Sequence, residues 1–287
     1  MAEPTAQPVV LQKLLTAGLA AAVVDRGHDR VGGYVAVAGD VADLRTPQAL
    51  LAAYGFEGQA PDYVDVVRFH LPPAAVLSKP SDTPERSWTT YPFGFLRDAQ
   101  PVWLLGTTRY SYGAEYWRLR ADGEQKCLAS YDGCARGWRG AHGWLAPSRM
   151  VGTRATWRET EYAADVVGDG VLLTAGGDIP PADLAGAGAE QIRPGVWTAA
   201  VPLDECDVFE AVVTASADGI RVRVLDSDGT TARVQLVSDD PDDARRISAE
   251  LVEPDVYEAT LPVAGLSGTG GVLNELVPGR VTSPEPS

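Results

Sequence analysis

The sequence predicts a mostly β protein in which an α+β N-terminal domain is followed by two tandem, duplicated small β-barrels of the SH3-like type. The first observation is that seven residues of the second half recur at a constant offset of 60, which is typical of a duplicated structural unit. They are Pro181, Ala189, Glu190, Pro194, Val196, Ala199 and Pro202, which recur as Pro241, Ala249, Glu250, Pro254, Val256, Ala259 and Pro262. The second is an alternation of apolar and charged residues over 220–224, followed by an Asp-Gly turn, which favours a β-hairpin.

Two helices are predicted in the first half. An amphipathic helix that ends near Gly27 is indicated by four apolar residues spaced four apart, Leu11, Leu15, Leu19 and Val23. Thr46 followed by Pro47 is typical of an N-cap with proline at the first helical position, so a second helix is expected to continue through Ala53.

Strands are predicted between and after these helices. Tyr, Val and other β-favouring residues dominate 34–38, 64–71 and 101–105. Alternation over 115–120 and a turn at 121–123 predict the clearest hairpin of the first half, which continues to residue 130.

These patterns divide the chain into four parts. We expect an α+β domain over residues 1–150, β-barrel repeats over 151–210 and 211–277, and a disordered, proline-rich tail over 278–287. Four to five short strands in sixty residues is the size of a small barrel, which is why the SH3-like type is predicted.

The acidic residues are concentrated in the duplicated half. Residues 1–150 hold 15 Lys and Arg against 15 Asp and Glu, whereas residues 151–287 hold 9 against 24, so the whole formal charge of −15 lies there. Such a field repels nucleic acid and anionic membranes and attracts a basic protein partner. The densest acidic segment, a candidate binding site, comprises Asp239, Asp240, Asp242 and Asp243.

A second candidate binding surface is aromatic. Residues 72–100 carry five prolines and few periodic apolar positions, which predicts a long surface loop. Exposed aromatic rings dominate many contact surfaces, and this segment contains Trp88, Tyr91, Phe93 and Phe95.

The cellular location is predicted from the export, membrane and disulfide signals that the sequence lacks. The first residues carry no basic segment typical of a secretory signal, and the longest mainly apolar run, residues 14–24, is too short to cross a bilayer. Three cysteines, an odd number, do not suggest a disulfide framework. We therefore expect a cytoplasmic protein.

Known catalytic and cofactor motifs are missing from the sequence. It contains no P-loop, dinucleotide-binding, zinc-protease or serine-hydrolase motif, and its three histidines are scattered, so neither a metal nor a cofactor is predicted.

An alternative, catalytic function is suggested by Arg68, Ser87 and Glu115. Their order is similar to the Arg, Ser/Thr, Glu arrangement of ADP-ribosyltransferases. The resemblance implies NAD as cofactor, with Arg68 on its phosphates and Glu115 stabilising the positively charged ribose. Position 113 is glycine where that family usually has Gln or Glu, and the 47 residues from Arg68 to Glu115 are few for that fold.

The leading hypothesis is a soluble intracellular protein-binding protein without catalytic activity, steered by its acidic C-terminal half. Its most specific form is an immunity protein, or antitoxin, against a basic toxin. The alternative is an NAD-dependent ADP-ribosyltransferase or NAD glycohydrolase in the N-terminal domain.

Overall fold

The protein folds mainly as β-structure. The computed structural model describes residues 9–54, 56, 61–78, 89–91, 94–97, 100–238, 240–254 and 256–275. Strands make up 52% of the residues and helices 15%, in two large antiparallel sheets of which one curls as a half-barrel. The mostly β character is confirmed, whereas the α+β type of the first domain and the SH3-like type of the repeats stay predictions.

The first sheet is built from the N-terminal half. Its elements are β1 (Val10–Leu15), α1 (Ala17–Arg26), β2 (Arg30–Val37), α2 (Pro47–Ala53), β3 (Tyr63–His70), β4 (Leu77–Ser78), β5 (Thr89–Tyr91), β6 (Gly94–Arg97), β7 (Gln100–Arg109), β8 (Glu115–Arg120), β9 (Gln125–Tyr131) and β10 (Trp138–Arg139). The strand order is β10-β9-β8-β3-β1-β2-β7-β6-β5, and β4 also pairs with β7.

The prediction of one helix from Leu11 to Val23 is wrong in its first part, because β1 occupies Val10–Leu15. β1 lies between β2 and β3 and is buried on both faces, with Leu11 in one hydrophobic cluster and Leu14 in another. Because both faces of β1 are buried, its leucines do not alternate with polar residues, and their spacing also matches a helix. The helix begins only after Thr16, whose hydroxyl accepts a hydrogen bond from the Leu19 amide.

Other predicted elements of this half are confirmed. The second helix spans Pro47–Ala53 and is capped by the Thr46 hydroxyl, which accepts from the Ala49 amide at 3.2 Å. β8 and β9 form the predicted antiparallel hairpin. By contrast, the expected loop over 72–100 contains β4, β5 and β6 in its described part. The β5–β6 hairpin extends the sheet from β7.

The second sheet is built from the C-terminal half. Its elements are β11 (Val151–Trp157), β12 (Thr160–Val167), β13 (Gly170–Gly176), α3 (Ala182–Gly186), β14 (Glu190–Arg193), β15 (Val196–Pro202), β16 (Asp207–Ala217), β17 (Ile220–Ser227), β18 (Thr231–Leu236), α4 (Pro241–Arg246), β19 (Glu250–Glu253), β20 (Val256–Pro262) and β21 (Leu266–Glu275). The strand order is β14-β15-β13-β12-β11-β16-β17-β18-β20-β19, and β21 pairs with β16.

The same series of elements occurs twice in this half. The bounds of β12, β14 and β15 reappear 60 residues later as those of β17, β19 and β20. The β14–β15 register, with Glu190 opposite Thr198, is repeated by Glu250 opposite Glu258. Both series belong to one sheet because β11 pairs with β16, and β16 runs through the predicted boundary at 210. The domain bounds themselves stay predictions.

Each half has its own buried apolar clusters, and polar contacts join the halves. Lys13 on β1 forms a buried ion pair with Glu253 on β19 and also donates to the Tyr34 carbonyl at 3.2 Å. Arg30 on β2 forms a second ion pair, at 2.6 Å, with Asp226 on β17. Among the helices that the structure describes, none is long and apolar enough to cross a membrane.

The Lys13–Glu253 pair predicts a non-additive stability effect. Lys13→Met leaves the Glu253 carboxylate buried without its cation and should cost about 3–5 kcal/mol of unfolding free energy. The double variant Lys13→Met/Glu253→Gln buries no unpaired charge and should recover at least half of that loss. Urea unfolding of the four proteins in this cycle measures both effects, and additive losses would contradict the prediction.

Candidate functional site

A cavity of about 460 Å³ lies between the N-terminal half and the first repeat, partly open to solvent. We name it the Asp165 cavity, after the most buried carboxylate in its wall. The first repeat contributes alternate residues of its strands, because β12, β13 and β15 turn one face to their own apolar cluster and the other to the cavity. The cavity wall includes Tyr112, Asp132, Arg136, Asp165, Leu172, Thr174, Gly188, Glu190, Thr198 and Ala200.

Asp165 is a buried carboxylate with one oxygen unsatisfied. The residue is 4% exposed, and its Oδ2 accepts a hydrogen bond from the Cys134 amide at 2.8 Å. Gly133 permits this approach, since a Cβ there would lie 2.8 Å from Oδ2, and its φ of +84° also favours glycine. Oδ1 has no hydrogen-bond partner in the described part of the chain. Oδ1 has almost no accessible surface, so Asp165 contributes negative charge to the cavity rather than an acceptor that a ligand can reach.

Arg109 supplies the nearest buried positive charge. It ends β7, is 3% exposed, and its Nη2 donates to the carbonyls of Thr153 at 2.8 Å and Ala164 at 2.7 Å in the second sheet. Burial alone would lower the pKa of this guanidinium, but the electrostatic effects of Cys134 and Asp165, among others, raise it above its ordinary value. The charge of Arg109 acts on Asp165 without a direct ion pair, and the Nε and Nη1 of Arg109, like the Oδ1 of Asp165, are buried without a hydrogen-bond partner among the described residues.

The other acids of the cavity have direct partners. Asp132 accepts two hydrogen bonds from the guanidinium of Arg139, at 2.8 and 2.9 Å. Glu190 pairs with Arg136 at 3.3 Å. Asp165 is therefore the acid of this wall that has no direct ion-pair partner among the described residues, and its buried counter-charge is Arg109.

Asp29 and Cys134 are buried near this site but do not line the cavity. Burial raises the pKa of Asp29 to about 6, although Arg109 and Arg30 act against the shift and the Tyr131 hydroxyl donates to Oδ2 at 3.2 Å. Burial also raises the pKa of the Cys134 thiol, which lies 3.3 Å from the Thr174 hydroxyl. A thiol of raised pKa is a poor nucleophile, so Cys134 has a structural role here.

A smaller cavity, of about 50 Å³, lies where the second repeat meets α1, β1 and β2. Lys13 and Glu253 line it and occupy it with their ion pair. His28 also lines it, and burial, together with the charge of Arg30, lowers the pKa of this imidazole to about 4. His28 is therefore neutral near pH 7, and the space is sufficient only for water.

Arg68 and Glu115 are brought together but not in a cavity. They lie directly opposite each other on β3 and β8. Arg68 donates to Gln12 at 3.0 Å and lies 5.2 Å from the Trp117 ring centre, whereas Glu115 accepts from the Trp117 indole at 2.9 Å. Neither residue lines the two cavities described above, and Ser87 lies outside the described residues.

The predicted acidic segment forms the start of α4. Asp240 caps the helix by accepting from the Asp242 amide at 2.8 Å. Asp242 and Asp243 form ion pairs one turn away with Arg245 and Arg246. These three carboxylates thus have local roles at the helix N-terminus. Asp239 lies outside the described residues.

The predicted aromatic surface is only partly described. Tyr91 and Phe95 lie on β5 and β6, and the structure describes their backbone alone. Trp88 and Phe93 lie outside the described residues.

Sequence reasoning missed Asp165 and Arg109. The signal for Asp165 was one charged residue within the apolar run Ala163 to Val167, where a charge is rarely buried without a reason. Arg109 is likewise a charged residue, here at the end of the long strand β7. Comparison with known proteins adds no further information, because no protein-family model, curated protein or solved structure matches this chain.

The buried carboxylate of Asp29 predicts a pH dependence. Because the pKa of Asp29 rises from 3.8 to about 6 on folding, the folded protein binds a proton between these values that the unfolded chain releases. The stability contribution of this group therefore falls by up to about 3 kcal/mol as the pH rises through that window. Asp29→Asn does not titrate, so its unfolding free energy minus that of the wild type should rise by this amount from pH 4 to pH 7. A difference that does not change with pH in urea unfolding would contradict the prediction.

The buried guanidinium of Arg109 predicts a large loss of stability. Arg109→Met leaves two carbonyls without a donor and removes the positive charge near Asp29 and Asp165, so it should cost about 3–5 kcal/mol. The matched control is Arg120→Met, which removes an exposed arginine on β8 that pairs with Glu124 at 3.6 Å and should cost less than about 1 kcal/mol. Equal losses in thermal and urea unfolding would show that Arg109 has no special structural role.

Proposed function

We propose that this protein is a non-catalytic binding protein that captures a basic polypeptide, and that the Asp165 cavity receives a cationic side chain of that partner. The observation that supports this most directly is that three carboxylates, those of Asp132, Asp165 and Glu190, line one cavity that is open to solvent. A hydrogen bond between a cation and a carboxylate is roughly twice as strong as one between neutral groups, so a cationic donor is the favoured complement of this wall.

The size of the cavity supports a side chain as its occupant. Its volume of about 460 Å³ far exceeds the space of one water molecule and falls within the range of small-ligand pockets. Tyr112 at its wall is 39% exposed and offers an aromatic face on which the stem or head of a cationic side chain can pack.

The acidic half provides long-range attraction. Its excess of 24 acids over 9 bases favours a cationic partner and raises its association rate. The acids of α4 add to this field, although they are paired locally with Arg245 and Arg246. We therefore assign the field to the whole acidic half and the specific contact to Asp165.

The proposal includes a cytoplasmic location and, as its most specific form, the neutralisation of a basic toxin. The three cysteines, Cys127, Cys134 and Cys206, are free thiols, which supports a reducing compartment. We do not propose an NAD-using transferase, because Arg68 and Glu115 both have local partners on the sheet and line neither cavity.

A labelled basic peptide tests this function directly. A fluorescein-labelled peptide of alternating Lys, Arg and Gly should bind the wild-type protein in fluorescence anisotropy, and binding should weaken at least tenfold when salt rises from about 0.05 to about 0.5 M. Asp165→Asn keeps the acceptor for the Cys134 amide but removes the charge, so it should weaken binding about tenfold, or about 1.4 kcal/mol.

The matched control is Asp178→Asn, which removes the same charge from an exposed position of the same repeat. This variant should weaken binding less than twofold. If both variants weaken binding equally, the acidic field alone attracts the peptide and the Asp165 cavity is not the site. If the wild-type protein does not bind the peptide at low salt, the proposed function is wrong.

A further inference from the structure

We propose that the free edge of β21 binds an extended segment of the basic partner, which adds a strand to the second sheet through main-chain hydrogen bonds. This inference rests on the proposed function and specifies a second contact, separate from the Asp165 cavity, which no residue of β16 or β21 lines. Its basis is a strand edge that is long, uncovered and surrounded by acids in the part of the chain that the structure describes.

β21 pairs through only one of its edges. β16 pairs with β21 over residues 209–217, with β11 over 207–212 and with β17 over 213–217. A strand has two edges, so β11 and β17 share one edge of β16 and β21 takes the other. No second strand pairs with β21 among the described residues, so about half of its residues turn their N–H and C=O groups to an open edge.

This edge lacks the features that normally protect the end of a sheet. Native proteins keep edge strands short or place proline and charged residues on them. In the described part of the chain, the strands at the ends of the two sheets, β5, β10, β14 and β19, have only two to four residues. β21 has ten residues and no proline, and its one charged residue is Glu275. A bulge interrupts its register near the start, which leaves a regular segment over 270–275.

Both faces of β21 are open beside its free edge. A Cβ at Gly268, Gly270 or Gly271 would meet no heavy atom within 4 Å beyond the adjacent residues. Successive residues of a strand point to opposite faces, so Gly270 and Gly271 together show that neither face is covered here. An added strand therefore has room for large side chains on both faces.

The charges around this edge favour a basic strand as its occupant. No Lys or Arg occurs over 194–220 or over 247–279, the two stretches that contain β16 and β21, and each stretch holds five acidic residues. A cationic segment is attracted by such a field. A second copy of this chain would bring the same acids to the same edge, so like charges oppose pairing between two copies.

The acids nearest the C-terminal end of β21 are exposed. They come just before the residues of β16 that pair with this end, and they are Asp204, Glu205 and Asp207. Burial, together with the charges of these acids, raises the pKa of the Cys206 thiol to about 11, which shows that the local field is negative. At the opposite end, Asp218 already pairs with Arg246 at 3.7 Å. The attraction for a cationic side chain is therefore strongest at the C-terminal end.

Two labelled peptides of equal sequence, length and charge test this inference on the full chain. Both alternate Lys with Val, and one is N-methylated at two successive central residues, so that neither of its edges can pair there. In fluorescence anisotropy at low salt, the unmodified peptide should bind about fivefold or more tightly than the methylated one, because methylation removes backbone donors.

Gly270→Pro and Gly271→Pro are matched variants, because they remove N–H groups that point to opposite edges of β21 without a change of charge. Neither glycine has a positive φ, which proline could not adopt. One variant loses a hydrogen bond to β16 and should lose unfolding free energy in urea. The other should keep the wild-type unfolding free energy and bind the unmodified peptide about fivefold more weakly. Near-ultraviolet circular dichroism checks that both are folded.

Amide hydrogen exchange gives a second readout on the wild-type protein, and it decides the question if both proline variants are unstable. In the free chain, only alternate amides over 270–275 should be protected, and the unmodified peptide should protect the others about tenfold or more. Protection of successive amides without peptide would show that another segment of this chain or a second copy already fills the edge, and the inference would be wrong.

The inference and the proposed function fail in different ways. If the two peptides bind equally and the peptide protects no further amide of β21, this edge is not the site, while the proposed function stands. Unchanged binding by the proline variant of wild-type stability also overturns the inference alone. If neither peptide binds at low salt, both the inference and the proposed function are wrong.

Discussion

The guanidinium of Arg109 is the contact on which the junction of the two halves depends. It leaves the first sheet at the end of β7 and places its Nη2 on two carbonyls of the second sheet. The approach is so close that a Cβ at Gly152 would lie 2.9 Å from the Cβ of Arg109, and Gly152 has a φ of +102°. A buried cation of this kind lowers the cost of burying Asp29 and Asp165 beside it, neither of which pairs with it directly.

The N-terminal half packs differently against the two repeats, although their strands correspond. On the second repeat the N-terminal half packs closely enough for Lys13 to reach Glu253 and for Arg30 to reach Asp226. On the first repeat it contributes the turn around Gly133 and the wall residues Asp132 and Arg136, and a cavity remains. Two similar series of strands that the N-terminal half covers unequally thus give one internal ion pair and one cavity.

Local patterns predicted much of the fold and little of the site. The helix at Pro47–Ala53 and the hairpin of β8 and β9 follow from a cap and an alternation, which depend on neighbours in sequence. β1 was misread because a strand buried on both faces has no alternation, and only its pairing with β2 and β3 distinguishes it from a helix. The site depends on contacts such as that of Cys134 with Asp165, which join residues 31 apart, one in the turn between β9 and β10 and the other on β12. No local pattern contains such a contact.

The electrostatic field of the acidic half and the contact at Asp165 make separate contributions to the proposed recognition of a basic partner. Asp242 is exposed and Asp243 partly exposed, and both pair with arginines on the same helix, so each contributes little to a partner beyond its share of a screened electrostatic field. Such a field accelerates the approach of any cationic chain but does not distinguish one basic residue from another. Asp165 is buried in the wall of the cavity and its Oδ2 is held by the Cys134 amide, so its charge acts from one fixed position. If the acidic half selects among basic partners, the selection must therefore come from this single carboxylate and the shape around it, because the remaining charge is too diffuse to provide it.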